Sequence, residues 1–253
     1  IDKNSLRETS KEFTLKINEI EKDIYRLAGM QFNISSPKQV GEVLFDNLKL
    51  SRHAKKTKSG HYVTSEEVLQ ELKEHEIVAR ILDYRGYKKL LSTYIDALPK
   101  MTDENGYLHT SFNQAVTVTG RLSSSTPNLQ NIPIRDENGK EVRKAFIPDK
   151  NRMFFGADYS QIELRIMAHL SGDKNMIDAF NSGQDIHAAT AATIFHKPIE
   201  EVTREERRLA KTSNFGIIYG ISSFGLAQQL DCSRAEAKTL IDGYFQAFPE
   251  VVA

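Results

Sequence analysis

The sequence predicts an α+β chain in which a run of helices is followed by a small sheet and then by helices again. Three observations carry that expectation. Apolar residues recur at three- and four-residue steps through the first third, short β-branched or wholly apolar runs occupy the middle third, and helix start signals return in the last third.

The elements follow in order. Phe13, Ile17, Ile20, Ile24 and Leu27 mark one face of an amphipathic helix, and Gly29 stands where its C-terminal cap would sit. Ser36-Pro37 reads as an N-cap with proline at the first helical position, ahead of the stripe Val40, Val43, Leu44 and Leu48. Thr64 and Glu67 have capping-box spacing before Val68, Leu69 and Leu72, and Ile77, Val78, Ile81 and Leu82 carry a further helix towards Tyr94. In the middle third, Val116-Thr117-Val118, following Tyr107 to Phe112, reads as a hairpin arm, and Ala145-Phe146-Ile147 reads as another strand. Met153-Phe154-Phe155-Gly156-Ala157 is apolar throughout, as a strand buried on both faces would be, and it runs directly into Asp158 and a helix entered at Ser160. Thr203/Glu206 and Ser233/Glu236 form capping boxes in the last third.

Composition bounds the function. The chain has 253 residues with 34 Lys+Arg against 34 Asp+Glu, a formal net charge of zero. On a prior of ~100–200 residues per domain that length suggests about two domains. With 40% apolar residues, neither disorder nor a disulfide scaffold is indicated, and the single Cys232 excludes an internal disulfide and fits a reducing compartment. No apolar run approaches the ~20 residues of a membrane span, so no membrane partner is expected. Ile1-Asp2-Lys3-Asn4 has neither a signal peptide's character nor an initiator Met, which suggests a segment of something longer. Zero net charge leaves nucleic acid open, because a local basic patch is what matters. Such a patch exists: Lys49, Arg52, His53, Lys55, Lys56, Lys58 and His61 fall in a stretch without an acid. It is either a solvated loop or a basic tip that meets phosphates.

Three features could carry chemistry. Asp158, at the end of an apolar run, is placed either to cap the next helix or to hold a divalent cation, which wants one or two carboxylates plus substrate phosphates. Glu163 stands in capping-box spacing from Ser160 and needs no other role. Arg207, Lys211, Phe215 and Tyr219, at steps of four, lie along one ridge of a helix. They are either an ordinary amphipathic face or two cations for nucleotide phosphates followed by two aromatics for a base. The polar loop Thr119 to Pro133 offers Asn128 and Gln130 amides that could reach groove edges or sugars, or it is simply a connection.

Together these segments resemble one family. Asp158-Tyr159-Ser160-Gln161-Ile162-Glu163-Leu164-Arg165 is similar to motif A of family A DNA polymerases, the DNA polymerase I type, and Arg207 to Gly220 is similar to its motif B. The Thr119 to Pro133 loop resembles the family's primer–template segment and Asp185-Ile186-His187 its short fingers motif. The resemblance spans essentially the whole chain, including Phe32-Asn33 and Ser92-Thr93-Tyr94.

The resemblance implies a truncated right hand: a helical thumb over residues 1–88, part of an antiparallel palm sheet over 89–170, and part of helical fingers over 171–253. It implies a bacterial enzyme of DNA replication and repair, a monomer, cytoplasmic and nucleoid-associated by function. It transfers deoxynucleotides to a primer 3′-hydroxyl, with Mg²⁺ as cofactor and with primer–template DNA and deoxynucleoside triphosphates as partners. Asp158 would ligate two Mg²⁺ ions, with the Tyr159 carbonyl adding an oxygen. Glu163 would be the steric gate against a ribose 2′-hydroxyl. Arg207 and Lys211 would hold the β- and γ-phosphates, Lys211 protonating the leaving pyrophosphate, and His187 would contact the same phosphates. Tyr159 and Gln161 would join the nucleotide site. Phe215 would pack on the incoming nucleotide and Tyr219 would stack at the templating position, with Gly216 and Gly220 permitting close approach. Arg121, Asn128, Gln130 and Arg135 would lie along the duplex, the two amides reading minor-groove acceptors common to all correct pairs. Lys55, Lys56 and Lys58 would meet duplex phosphates at the thumb tip.

Departures from the family set two expectations. The chain is expected to end partway through the fingers, before motif C and its second metal-binding Asp, and therefore not to polymerise by itself. The alternative is a non-catalytic primer–template binding module. A third reading, a single-subunit RNA polymerase relative, conflicts with Glu163, since excluding a 2′-hydroxyl is the opposite requirement.

Overall fold

Asp2 starts the first helix. Its carboxylate accepts from the N–H groups of Asn4 and Ser5, both at 3.0 Å. Helix α1 (Lys3–Ala28) then runs to Gly29, whose φ of +69° turns the chain through the left-handed region and lets its N–H donate to the Arg26 carbonyl. The computed structural model describes residues 1–134 and 136–251. They fall in two compact units, Ile1–Phe154 and Phe155–Ala253.

In the first unit α1 buries Leu6, Phe13, Ile17, Ile20 and Ile24, the stripe that the spacing predicts. Ser36 caps α2 (Pro37–Gly41) by accepting from the Gln39 N–H, and the helix passes into a π-helical stretch, Glu42–Asn47, that buries Val43, Leu44 and Phe45. A Cβ on Gly41 would lie 2.7 Å from that of Tyr62, so this contact requires glycine. Helix α3 (Glu66–Gln70) begins one residue later than Thr64/Glu67 predicts. Its N-cap is Ser65, with no side-chain cap. The reason is tertiary: the Thr64 hydroxyl and carbonyl both accept from the Arg85 guanidinium, so they are not available to the helix. Helix α4 (Glu76–Leu90) continues through a π-helical stretch, Leu91–Ile95, and packs on α1, with the Phe13 and Tyr87 rings edge to face at 4.9 Å.

The sheet is smaller than the sequence suggests and shares only Ser111 and Phe112 with the expected strand stretches. Strands β1 (Ser111–Asn113) and β2 (Ser123–Ser125) pair antiparallel, with Ser111 opposite Ser125. Hydroxyl and amide groups tie it together: Thr110 Oγ1 lies 2.7 Å from Ser124 Oγ, and Asn113 Nδ2 donates to Ser125 Oγ at 3.1 Å. Val116-Thr117-Val118 is not an arm but part of the connection, with Val118 fully exposed. Ala145-Phe146-Ile147 is not a strand either. Helix α5 (Glu137–Lys144), which periodicity does not reveal, sends Val142 and Ala145 into the core and ends at Ala145, whose carbonyl accepts from Asp2 N at 2.8 Å.

The expected strand Met153 to Ala157 is extended chain with no ladder, and Met153, Phe154 and Phe155 are 86%, 67% and 91% exposed. A strand buried on both faces needs neighbours to pair with. Among the described residues, strand pairing is confined to β1–β2 and the isolated bridges Lys56–Tyr62 and Thr102–Leu108.

The second unit is helical. Helix α6 (Ile162–Ser171) begins at Ile162, with Gln161 as N-cap at φ +55° and no side-chain cap. The Ser160/Glu163 capping box is therefore absent. The Ser160 carbonyl instead accepts from Arg165 Nε at 2.9 Å, while the Glu163 carboxylate is engaged elsewhere. Asp173 caps α7 (Lys174–Asn181), Asp185 caps α8 (Ile186–Ile194) and Ser222 caps α10 (Ser223–Leu230). Both capping boxes predicted in the last third form: Thr203/Glu206 opens α9 (Arg204–Ile218) and Ser233/Glu236 opens α11 (Arg234–Ala247). One apolar core gathers Leu164, Met176, Ile186 and Tyr244, and a second gathers Ile194, Leu226, Leu230 and Leu240. The described chain is thus mostly helical with one small antiparallel sheet, as expected for the class, and none of its helices is long and apolar enough to cross a membrane.

Candidate active site and nucleic-acid interface

Helix α9 is the frame of the candidate site. At its start, Thr203 Oγ1 accepts from the Glu206 N–H and Glu206 Oε2 accepts from the Thr203 N–H at 2.8 Å. Lys197 Nζ sits 2.7 Å from Glu206 Oε1, and that hydrogen bond, with the backbone N–H of Thr203, holds the Glu206 carboxyl down at about 2. From this anchor Arg207, Lys211 and Phe215 follow at steps of four, and Tyr219 ends the helix. Lys211, Thr212, Phe215, Gly216 and Tyr219 line a cavity of about 540 Å³. A Cβ on Gly216 would lie 2.9 Å from Ile221 Cγ2, so glycine lets the chain fold back past Gly220 and bond Ile221 N to the Gly216 carbonyl.

Two contacts organise the predicted residues. Tyr219 Oη donates to Glu163 Oε1 at 2.7 Å, which ties the end of α9 to the first turn of α6. Arg207 Nε donates to Asp185 Oδ2, also at 2.7 Å, while Asp185 Oδ1 accepts from the N–H groups of His187 and Ala188. Burial would raise the Asp185 carboxyl, but Arg207 and those backbone donors outweigh it and hold the group below its usual range. Asp185 is therefore both a helix cap and the partner of a predicted phosphate-binding cation.

His187 is only 1% exposed, and its ring lies 5.6 Å from that of Phe215. Burial pushes its pKa down to about 4, with Arg207 and Lys211 adding to the effect and Asp185 opposing it, so the ring is neutral at pH 7. Its Nδ1 stands 3.0 Å from Asn214 Nδ2, which also reaches Thr190 Oγ1 at 3.1 Å. Asn214 and Thr190 were not singled out by sequence. The available signal was a polar Asn inside α9, one residue before Phe215, but its partners lie on another helix.

Asp158 and Tyr159 are exposed in the segment leading into α6, and Gln161 is half-buried. An acidic oxygen and a backbone carbonyl form an oxygen-only donor set that fits a hard divalent cation completing its shell with phosphates and water. No group of three His, Cys, Asp or Glu that could hold a metal is gathered among the described residues.

In the first unit, Lys55, Lys56 and Lys58 are all exposed on a short loop closed by Thr57 N to the His61 carbonyl and Val63 N to the Lys55 carbonyl. Lys56 Nζ lies 4.5 Å over the Tyr62 ring, which braces the loop. Arg121, Asn128 and Gln130 are exposed, with Asn128 Oδ1 accepting from the Gln130 N–H at 3.0 Å. Asn128 and Gln130 also line a cavity of about 1360 Å³ that reaches Lys16 and Tyr87. Arg135 lies outside the described residues.

Residues 3–253 match the family profile of DNA polymerase family A. The chain is 53% identical to DNA polymerase I of Geobacillus stearothermophilus over 254 residues, which covers 99% of this chain and 29% of that protein. It is 50% identical to DNA polymerase I of Bacillus subtilis (strain 168), covering 100% of this chain and 29% of that one. The chain thus spans less than a third of the length of these relatives. Among solved structures it superposes on the POL domain of Pol1 from M. smegmatis in complex with DNA primer-template and dNTP, with a TM-score of 0.87 and 43% identity, over 100% of this chain and 45% of that one. On this match, the chain belongs to DNA polymerase family A.

Proposed function

We propose that this chain is the thumb (1–88), part of the palm (89–170) and part of the fingers (171–253) of a template-directed DNA polymerase. The observation that supports this reading most is the α9 face, where Lys211, Phe215 and Tyr219 line one cavity and Tyr219 is bonded to Glu163. In this reading Arg207 leaves Asp185 to share the triphosphate with Lys211, and Lys211, at the rim of the cavity, donates a proton to the departing pyrophosphate. Phe215 packs on the sugar and base. Tyr219 and Glu163, fixed to each other, close the space that a 2′-hydroxyl would need. Asp158 and the Tyr159 carbonyl would hold Mg²⁺, which when bound supplies charge stabilisation for in-line phosphoryl transfer. In the first unit Lys55, Lys56 and Lys58 meet duplex phosphates, and Arg121, Arg135, Asn128 and Gln130 run along the duplex.

Binding and chemistry separate in this proposal. In this reading Asp158 is the one carboxylate assigned to the metal ions, so the 253 residues alone are expected to bind and not to extend a primer. Primer extension by the purified chain would overturn that expectation. Nucleotide binding is tested by titrating the chain with dATP and with ATP in the presence of Mg²⁺. Lys211→Ala is expected to weaken both by about tenfold or more, the ~1.5–3 kcal/mol of a charge-assisted contact. Glu163→Ala is expected to narrow the difference between dATP and ATP while leaving dATP affinity within a few-fold. Equal affinity of the unmodified chain for both nucleotides would remove Glu163 from the role of gate.

A further inference from the structure

Behind the α9 face lies a buried polar chain that the proposed reaction does not use. Thr190 and Asn214 are both 0% exposed. Thr190 Oγ1 donates to the Ile186 carbonyl at 2.7 Å, so its oxygen is left to accept from Asn214 Nδ2 at 3.1 Å. The second N–H of that amide is directed at His187 Nδ1, 3.0 Å away. With the amide so oriented, Nδ1 is an acceptor and the ring proton resides on Nε2. The opposite amide orientation is disfavoured twice over. It would set Asn214 Oδ1 against the Thr190 oxygen, whose proton is spent on Ile186. It would also put two N–H donors where now a single oxygen, Asn214 Oδ1, is buried without a partner among the described residues.

We infer that Asn214 and Thr190 are positioning residues that hold the His187 imidazole neutral with its proton on Nε2, so that it meets a nucleotide triphosphate as a hydrogen-bond donor and not as a third cation. The inference rests on the nucleotide-binding reading given above. The chemistry is economical: Arg207 and Lys211 already supply two positive charges, and a protonated ring beside them would be repelled by both. The charged groups that act on the ring are Asp185, which caps its helix, and Arg207 and Lys211 from α9, and burial depresses its proton affinity further. Its ring neighbour Phe215 carries no charge.

The test is the two-bond ¹H–¹⁵N correlation of the imidazole in ¹⁵N-labelled chain, with Mg²⁺–dATP added in a second arm. Expected is the Nε2–H pattern from pH 8 to 5, with protonation only at about 4. Thr190→Ser, which keeps the hydroxyl, retains that pattern. Thr190→Val, of nearly the same shape, frees the amide and gives a mixture of tautomers. An Nδ1–H pattern in the unmodified chain, protonation at an ordinary histidine value, or a Thr190→Val spectrum identical to the parent each overturns the lock. In the second arm, dATP is expected to shift the His187 and Lys211 resonances together, with His187 still neutral. A shift at Lys211 with His187 unmoved overturns the positioning role while leaving nucleotide binding in place. No shift at either overturns the nucleotide-binding reading, and with it the role of the lock in that reaction.

Discussion

A histidine that binds its proton more weakly folded than unfolded takes that proton up on unfolding, and acid then drives the equilibrium. His187, moved by burial from 6.5 to about 4, is such a group. Between those values the unfolded chain holds a proton that the folded chain does not, so stability is complete above pH 6.5 and is lost as pH falls towards 4. The shift corresponds to about 3 kcal/mol over that window. His187→Gln is expected to remove this part of the slope, read as urea midpoints at pH 7 and pH 4.5, and an unchanged difference between the two midpoints would contradict the assignment. Glu206 acts in the same direction but lower: held at about 2, its contribution is lost only below its ordinary value near 4.5. At this scale the sequence was informative where a motif is local. Steps of four put Arg207, Lys211, Phe215 and Tyr219 on one helix, as α9 has them, while the spacing alone left an ordinary amphipathic face open. Asn214 and Thr190 are not marked by spacing, because their meaning depends on a His187 ring that is 27 residues from one of them and on a different helix.

Elements divide along the same line of locality. The Thr203/Glu206 and Ser233/Glu236 boxes were legible because cap and partner are three residues apart, and both form as written. The strands were not. β2 is three serines and β1 has a single strand-favouring residue, Phe112, and the pair is held by side-chain hydrogen bonds from Thr110 and Asn113 that no alternation pattern shows. Thr64 misled for a related reason, since a distant Arg85 takes its hydroxyl. The α9 cap carries a direct prediction. Thr203→Ala is expected to lower stability by ~1 kcal/mol, with Thr203→Ser nearly neutral, as measured by urea unfolding. Because Arg207 begins its hydrogen-bonded turn on the Thr203 carbonyl, the alanine variant is also expected to bind dATP more weakly.

At the scale of the molecule, the class and helical content were readable from composition and periodicity, and the length prior of about two domains agrees with two compact units. The boundary between the two compact units falls at Phe154/Phe155, inside a run whose hydrophobicity suggests a strand buried on both faces. Apolar character tells that a segment seeks cover but not where the cover comes from. Brief digestion with chymotrypsin is expected to cut first at Phe154 or Phe155 and to yield two fragments near residues 1–154 and 155–253, read by mass spectrometry. First cleavage inside α1 or α9 would contradict the exposure found here.

That bare run also bears on how Asp158 would take hold of an ion. A carboxylate carried on a ladder of paired strands is already in place when a cation arrives. Here the segment ahead of it has no such ladder, and each residue immobilised on capture costs ~1–2 kcal/mol of chain entropy. Three or four residues fixed in this way would absorb most of what one carboxylate and one carbonyl return. In the proposed reading, affinity for the ion would then depend on what holds residues 153–157 in place as much as on the chemistry of the ligands.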